Sequence, residues 1–185
     1  MRAELVAPRA APAVALDEAK LFLRVDGADE DALVEGLVEA ATDLIEKETG
    51  HLIGPQGWKI TATGFSALVR LPVSPVLSIT EIEATGPDGI SAVVPAATYQ
   101  LHRYAWGDAV VVAQGQVWPT LGRFVPAVEV SVAAGFDPVP APLRTAIKLL
   151  AATWYQHRDA AVGPEAAQAL PYGVKSIVDR YRRFR

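Results

Sequence analysis

The chain has no cysteine, one methionine and three histidines among its 185 residues. The absence of cysteine excludes disulfide bonds, thiolate metal ligands and a cysteine nucleophile. The histidines, His51, His102 and His157, lie in separate segments, with no carboxylate or second histidine at a metal-ligand spacing. They therefore indicate no metal site.

The chain also lacks a long uninterrupted apolar segment, although 51% of its residues are hydrophobic. Prolines and Arg9 interrupt the N-terminal residues, which is not typical of a signal peptide. No run reaches the length of a membrane helix. We expect a soluble protein without a membrane partner, made in the cytoplasm, whose residues 1–15 form a flexible segment and whose residues 16–185 form a single domain.

Sequence patterns that carry catalytic chemistry are missing as well. The segment Asp26–Asp31 resembles a calcium loop but lacks the glycine and the glutamate that such a loop requires. Glu81 and Glu83 alternate along a predicted strand, where carboxylates usually serve solubility. No serine lies in a G-x-S-x-G motif. We expect no catalytic residue, no metal and no cofactor, and so a protein that is not an enzyme.

Charge is distributed unevenly along a chain whose net charge is −4. Asp17–Glu48 contains eleven acidic and three basic residues, whereas Lys175–Arg185 contains five basic residues and one acidic residue. Such opposite ends are compatible with solvated helix faces or with surfaces that bind partners of opposite sign, including other copies of the chain.

Helical periodicity is strong near the N-terminus. Asp17 is a candidate cap for a short helix that continues to Arg24, and Asp29 is a candidate cap for a longer helix that Thr49-Gly50 ends. These helices span about residues 17–50. The longer helix carries one apolar stripe, formed by Leu33, Val34, Leu37, Ala41, Leu44 and Ile45.

The middle of the chain, about residues 55–135, changes to short β-branched segments bounded by glycine or proline. The predicted strands are WKITATGF, LVRL, SITEIEA, AVVVA and AVEVSVAAG. Their close spacing predicts a small antiparallel sheet or sandwich. Helical periodicity returns over about residues 141–185. We therefore predict an α+β fold in which N-terminal and C-terminal helices form a bundle and the sheet is an insertion.

The last helix carries two different faces. Val174, Ile177, Val178, Tyr181 and Phe184 fall on one arc, and most of its basic residues fall on the other. Its aromatic residues are therefore predicted to pack, which argues against their stacking on nucleic-acid bases.

The order of segments resembles the head–tail connector, or adaptor, proteins of long-tailed bacteriophages and gene transfer agents. The resemblance begins with LDEAKLFLRVDGADEDALVEGLVEAATDLIEKETG and continues with WKITATGF and VRLPVSPVLSITEIE. It ends with YQL, VEVSVAAGF, VPAPLRTAIKLLAATWYQHRD and LPYGVKSIVDRYRRFR. These pieces cover nearly the whole chain, and their order is more specific than any one of them.

The resemblance implies a structural protein of the neck of a virion or gene transfer agent particle. Such a protein forms a ring of about twelve copies beneath the portal, extends the DNA channel without sequence-specific binding, and docks the next neck or tail protein, the stopper. A closed ring needs two unlike faces on each subunit, which the acidic and basic sections could supply. An acidic channel lining would let DNA slide, because basic groups bind phosphates strongly.

The resemblance also suggests candidate surfaces. A portal-docking arm would consist of Arg180, Tyr181, Arg182, Arg183, Phe184 and Arg185, because arginine and aromatic residues anchor protein interfaces. An acidic face between subunits or toward the channel would consist of Asp29, Glu30, Asp31, Glu35, Glu39, Asp43 and Glu46.

Three alternatives stay open at this stage. The chain could be another neck ring protein, either a stopper or a tail terminator, although those are mainly β. It could bind nucleic acid through its basic C-terminal end, against which its net acidity argues. It could also be an enzyme or a carbohydrate-binding module built on the central strands, for which no convergent set of polar residues is apparent.

Overall fold

The computed structural model describes residues 1–104, 106–157 and 170–183. Within these residues the chain forms both α-helices and antiparallel β-strands, and the predicted α+β class is confirmed. The helices are α1 (Leu16–Leu23), α2 (Asp31–Thr49), α3 (Ala141–Gln156) and α4 (Tyr172–Tyr181). The strands are β1 (Arg2–Ala7), β2 (Gln56–Ala62), β3 (Val76–Thr85), β4 (Ser91–Val93), β5 (Tyr99–Tyr104), β6 (Gly107–Val112) and β7 (Val128–Ala134).

The chain divides into two compact units, where the sequence predicted a single domain over residues 16–185. The helical unit comprises Ala11–Gly54 and Pro138–Arg182. The β unit comprises Met1–Ala10 and Pro55–Asp137, together with Arg183. The chain therefore passes from one unit to the other four times.

In the helical unit, α2 packs against each of the other three helices, and α3 packs against α1 and α4. The apolar stripe of α2 supplies Val34, Val38, Ala41 and Ile45 to the core, as helical periodicity predicts. Leu33, also assigned to that stripe, is instead 40% exposed. Pro142 stands in the first turn of α3, where a missing N–H costs no hydrogen bond.

The helix starts differ from the predicted caps. Helix α1 begins at Leu16, so Asp17 lies inside its first turn, and neither α1 nor α2 has a side-chain cap. Glu30, not Asp29, stands at the N-terminal boundary of α2. The acidic side chains of these first turns still suit the helix dipole. Gly50 ends α2 with a left-handed φ of 73°, in agreement with the predicted end.

The β unit contains a five-stranded antiparallel sheet of order β1-β2-β7-β3-β4. One of its faces is buried through alternating apolar residues, among them Ile60, Ile82 and Val130. A separate two-stranded hairpin pairs β5 with β6, and Tyr104 faces Gly107 at the end of that hairpin.

Two predictions for the β unit were wrong. Arg2–Ala7 is strand β1, which pairs with β2 from Arg2–Thr61 to Ala7–Gly57, whereas the sequence predicted a flexible segment there. LVRL was predicted as a strand, but Phe65–Val69 forms a 3-10 helix. In the first case the partner strand is distant in sequence, and in the second the apolar run is too short to distinguish a strand from a turn.

Candidate functional site

The predicted acidic face lies mainly on α2. Glu35, Glu39 and Asp43 are exposed and stand four residues apart, so they form one stripe along the helix surface. Asp29 is also exposed, in the segment before the helix. We call Glu35, Glu39 and Asp43 the α2 stripe.

Three further acidic residues of the predicted face bind groups within the helical unit. Asp31 forms an ion pair with Lys20 of α1. Glu30 accepts a hydrogen bond from the Tyr155 hydroxyl group. The Glu46 carboxylate accepts a hydrogen bond of 2.6 Å from the backbone N–H of Ile53. These three carboxylates therefore stabilise the unit itself, which the sequence pattern did not distinguish from the exposed ones.

The predicted docking arm begins on α4. Arg180 is exposed and Tyr181 is half-buried. Arg182 lies 2.9 Å from Glu48 and 3.7 Å from Asp179. The pKa of Asp179 is lowered, mainly by the hydrogen bond from Lys175 and further by the charge of Arg182. Phe184 and Arg185, also predicted for this arm, lie outside the described residues.

Arg183 belongs to the β unit. Its guanidinium donates hydrogen bonds to the carbonyl oxygens of Leu71 and Pro72, at 2.9 and 3.4 Å. It covers Gly107, where an added Cβ would lie only 2.5 Å from Nη2. Burial lowers the pKa of Arg183, and the charge of Arg70 lowers it further, whereas Asp108 acts in the opposite direction.

The Asp108 carboxylate has its own partners. It is 5% exposed and accepts hydrogen bonds from the Ser74 hydroxyl group at 3.0 Å and from the backbone N–H of Val76 at 2.9 Å. The Asp108 carbonyl oxygen accepts another from the backbone N–H of Leu71 at 2.8 Å. Asp108 thus holds the segment 71–76, which contains the Leu71 and Pro72 carbonyl oxygens that bind Arg183.

An aromatic cluster on the hairpin was not predicted as a site. The rings of His102 and Tyr104 stack with centroids 4.3 Å apart, and those of Tyr104 and Trp106 stack at 4.6 Å. The three residues are exposed, Tyr104 to 38% and Trp106 to 39%. Their spacing of two residues in the sequence is the signal that could have found this ladder.

A second charged cluster also escaped the sequence analysis. Glu18 of α1 accepts hydrogen bonds from Arg144 and Lys148 of α3, the latter at 2.8 Å. Because more than a hundred residues separate the partners along the chain, no local pattern indicates this pairing.

Metal and membrane features can be judged for the described part of the chain. Over residues 1–104, 106–157 and 170–183, no three side chains of His, Cys, Asp or Glu are grouped as metal binding would require. None of the helices in those ranges has the length and apolar character that crossing a bilayer demands.

Residues 14–82 match the model of the phage gp6-like head-tail connector protein family. The resemblance to head–tail connector proteins is confirmed. The matched range covers α1, α2, β2 and most of β3, which include the first segments on which the resemblance was based.

Solved structures similar to this chain come from gene transfer agent particles. A chain from the neck of an empty particle, computed with C6 symmetry, has a TM-score of 0.80 and 26% identity. Chains from the virion of a native particle and from the neck of a native particle, computed with C12 symmetry, have TM-scores of 0.78 and 0.77 and 25% identity. Each match covers 100% of this chain and 97% of the other.

The comparison with curated proteins gave no significant match. The matched family and the matched solved structures are structural components of phage-like particles rather than enzymes.

Proposed function

We propose that this protein is a head–tail connector of the adaptor type, which forms a ring under the portal of a phage-like particle. The observation that carries the proposal is the match over the whole chain to a neck protein of a gene transfer agent particle. The C6 and C12 symmetries of the matched necks support a ring of repeated subunits, and the sequence resemblance suggests about twelve copies.

In this proposal the four helices form one bundle, into which the β unit is inserted as a second body. The packing of α2 against the other three helices supports the bundle. The ring extends the DNA channel, and DNA passes without sequence-specific contacts. Exposed carboxylates such as those of the α2 stripe would repel phosphates if they lined that channel.

The proposed portal contact is the end of α4. Arg180 is exposed. Arg182 is exposed as well but is paired with Glu48, and Arg183 is held in the β unit. Arg180 and Tyr181, with Phe184 and Arg185 beyond the described residues, therefore carry the docking proposal. The next neck protein, the stopper, would bind the opposite end of the ring.

The test is assembly with the portal protein of the same particle. Light scattering gives the mass of the chain alone, of the portal alone and of the mixture. We expect a complex that carries one ring of this chain per portal. A mixture whose components stay separate would contradict the proposal, and a mass shift on duplex DNA alone would favour a nucleic-acid-binding function.

The docking surface has a separate test within the same assay. Arg180→Glu should weaken portal binding, because the reversed charge would face acidic groups. Lys175→Glu is the matched control, since Lys175 is an exposed cation on the same helix that is paired with Asp179. Equal binding by both variants and the wild type would place the portal contact elsewhere.

A further inference from the structure

Two strands of the β unit, β1 and β5, each have one open edge. Within the described residues, β1 ends the five-stranded sheet and pairs with β2, whereas β5 pairs with β6 in the separate hairpin. Five of the six residues of β1 and four of the six residues of β5 are exposed. An open edge presents unpaired N–H and C=O groups, which are a template for pairing with a strand of another chain.

The hydrogen bonds of β6 show which backbone groups of β5 reach its open edge. The carbonyl oxygen of Asp108 in β6 accepts a hydrogen bond from the N–H of Leu71, on the side away from β5. Residues that face each other across an antiparallel pair turn their backbone groups either toward each other or away from each other. Arg103 faces Asp108, so it turns its N–H and C=O to the open edge, as does Leu101 two residues earlier.

The same reasoning applies to β1 through its partner β2. The carbonyl oxygen of Ala62 in β2 accepts a backbone hydrogen bond on the β7 side of the sheet. Because backbone groups alternate between the two sides of a strand, Lys59 turns its groups to β1, where it faces Glu4. Glu4 therefore bonds within the sheet, and its neighbours Ala3 and Leu5 turn their N–H and C=O to the open edge.

The two open edges lie on opposite sides of the β unit. The Arg103 guanidinium donates a hydrogen bond of 3.1 Å to the carbonyl oxygen of Val76, the first residue of β3. The hairpin is therefore beside β3, which β7 and β2 separate from β1 in the sheet. Edges placed in this way suit a head-to-tail contact between copies of the chain.

We propose that the open edge of β1 in one subunit pairs antiparallel with the open edge of β5 in the neighbouring copy of the ring. Leu5 would lie opposite Leu101 and Ala3 opposite Arg103, so that each pair exchanges two backbone hydrogen bonds. Two unlike edges make a heterologous interface, the type that closes into a ring by rotation, and the matched necks have C6 and C12 symmetry. The inference rests on the proposed function, because it requires a ring.

Apolar side chains fit this register. Leu5 is 46% exposed in the subunit, and Leu101 is half-buried. Directly opposite residues of an antiparallel pair lie on the same face with their Cβ atoms close together. Pairing would therefore bury the exposed leucine of one edge against the leucine of the other.

Polar groups on the other face of the pair fit as well. Glu4 would lie opposite His102 and beside Tyr104, whose rings are already ordered by stacking. Among the described residues, neither the Glu4 carboxylate nor the polar atoms of these two rings make a hydrogen bond within the subunit. Lys59, which faces Glu4 in β2, instead binds Glu129 at 2.8 Å. The carboxylate can thus accept hydrogen bonds from the imidazole and the phenol of the neighbouring copy.

The other open edge of the five-stranded sheet, that of β4, is less suited to such pairing. Strand β4 is three residues long, and Pro95, which has no N–H, follows it closely. Short edge strands and prolines discourage pairing with other chains. The Val94 N–H bonds to Ile82 in β3, so the preceding Val93 turns its backbone groups outward and offers a matched control position.

Proline substitutions test the backbone pairing. Leu5→Pro removes an N–H that the sheet within the subunit does not use, and it should reduce the amount of chain retained on the portal by about tenfold or more. Leu101→Pro should do the same from the partner edge. Val93→Pro makes the same change at the edge of β4 and should leave retention unchanged. With folding verified by thermal unfolding, equal retention of the Leu5 and Val93 variants would overturn the proposal.

Disulfide formation tests the register, because the wild-type chain has no cysteine to react. Glu4→Cys and His102→Cys would form a non-hydrogen-bonded pair, whose Cβ atoms are close enough for a disulfide bond. Oxidation of complexes between the portal and a chain that carries both substitutions should give covalent multimers. Glu4→Cys combined with Arg103→Cys places the thiols on opposite faces and should give none.

The results separate the interface from the connector function. Portal complexes that contain the chain but give no multimers with Glu4→Cys and His102→Cys would overturn the interface and leave the connector function intact. Equal yields from the control pair of cysteines would overturn the proposed register, and the interface with it. A chain that does not assemble with the portal at all would contradict the connector function itself.

Discussion

The ammonium group of Lys148 in α3 lies 2.8 Å from the carboxylate of Glu18 in α1. Arg144, one turn earlier on α3, donates a hydrogen bond to the other oxygen of that carboxylate. The Lys148 ammonium also stands 5.5 Å from the centre of the Phe22 ring. Glu18 therefore ties α1 to α3 through two cations.

The hydrogen bond from Lys148 is the largest cause that lowers the pKa of Glu18 below its usual 4.5, and Arg144 adds to it against the effect of burial. The Glu18 carboxylate therefore binds a proton more weakly in the folded chain than in the unfolded chain. The resulting stabilisation is fully present at pH values above the pKa of Glu18 in the unfolded chain. It is lost as the pH falls through the lowered pKa of Glu18 in the folded chain. We expect Glu18→Gln to reduce the free energy of unfolding by about 0.5–1 kcal/mol at neutral pH, since the pair is partly exposed.

Urea denaturation of the wild type and of Glu18→Gln at neutral pH and at about pH 3 checks this prediction. The difference between the two proteins should shrink at the acidic pH. Asp17→Asn changes the neighbouring exposed carboxylate and is the control. A difference that is the same at both pH values would contradict the proposed cause.

A second prediction concerns Asp108, whose buried carboxylate accepts hydrogen bonds from Ser74 and Val76. Asp108→Ala should destabilise the β unit by about 2–4 kcal/mol, because hydrogen bonds to a charged group are strong and the buried donors would lose their acceptor. Thermal unfolding followed by near-UV circular dichroism measures the loss. Asp108→Asn, which keeps an acceptor oxygen, should cost less than the alanine variant, and an equal cost would argue against hydrogen bonding as the reason.

A third prediction concerns the contact between Gly107 and Arg183. Gly107 has a φ of 143°, and a Cβ there would lie 2.5 Å from the Arg183 guanidinium. Gly107→Ala should therefore cost about 1–3 kcal/mol through backbone strain and displacement of the arginine. Combined with Arg183→Ala, the glycine substitution should cost less, because only the strain remains. Strictly additive free energies in this double-mutant cycle would show that the two residues do not interact.

A fourth prediction concerns the core of the helical unit. Ile147 in α3 is fully buried, and Ile147→Ala should lower the free energy of unfolding by about 2–5 kcal/mol by removing apolar contacts and leaving a cavity. Thr145→Ala, on the exposed side of the same helix, should change it little. Chemical denaturation of the two variants makes the comparison, and a loss below about 1 kcal/mol for Ile147→Ala would contradict the assigned packing.

The helices could be predicted from the sequence because each has an apolar stripe at helical spacing, as Val34, Val38 and Ile45 illustrate in α2. Strand β7 was equally clear, since its valines alternate with polar residues. Strand β1 was missed because the strand that it pairs with, β2, begins at Gln56. An edge strand of this kind is specified by a partner remote in the sequence rather than by its own composition.

The candidate surfaces were predictable to a lesser degree. Clustering of acidic residues indicated the α2 stripe, but it did not separate the exposed Glu35 from Glu46, which binds a backbone N–H. The basic C-terminal end suggested one arm, yet Arg182 and Arg183 have partners in different units. The local sequence shows where charged residues stand along the chain, whereas the tertiary fold decides which of them remain accessible to other molecules.

The four passages of the chain between the two units have a consequence for biosynthesis. Strand β1 is translated before the rest of its sheet, which includes β7, ending at Ala134. The helical unit likewise includes α4, which ends at Tyr181. Neither unit can therefore complete its folding until most of the chain has been translated. The nascent chain would expose the apolar sides of α1 and α2 during that interval, and such transiently exposed surface favours association with other nascent chains.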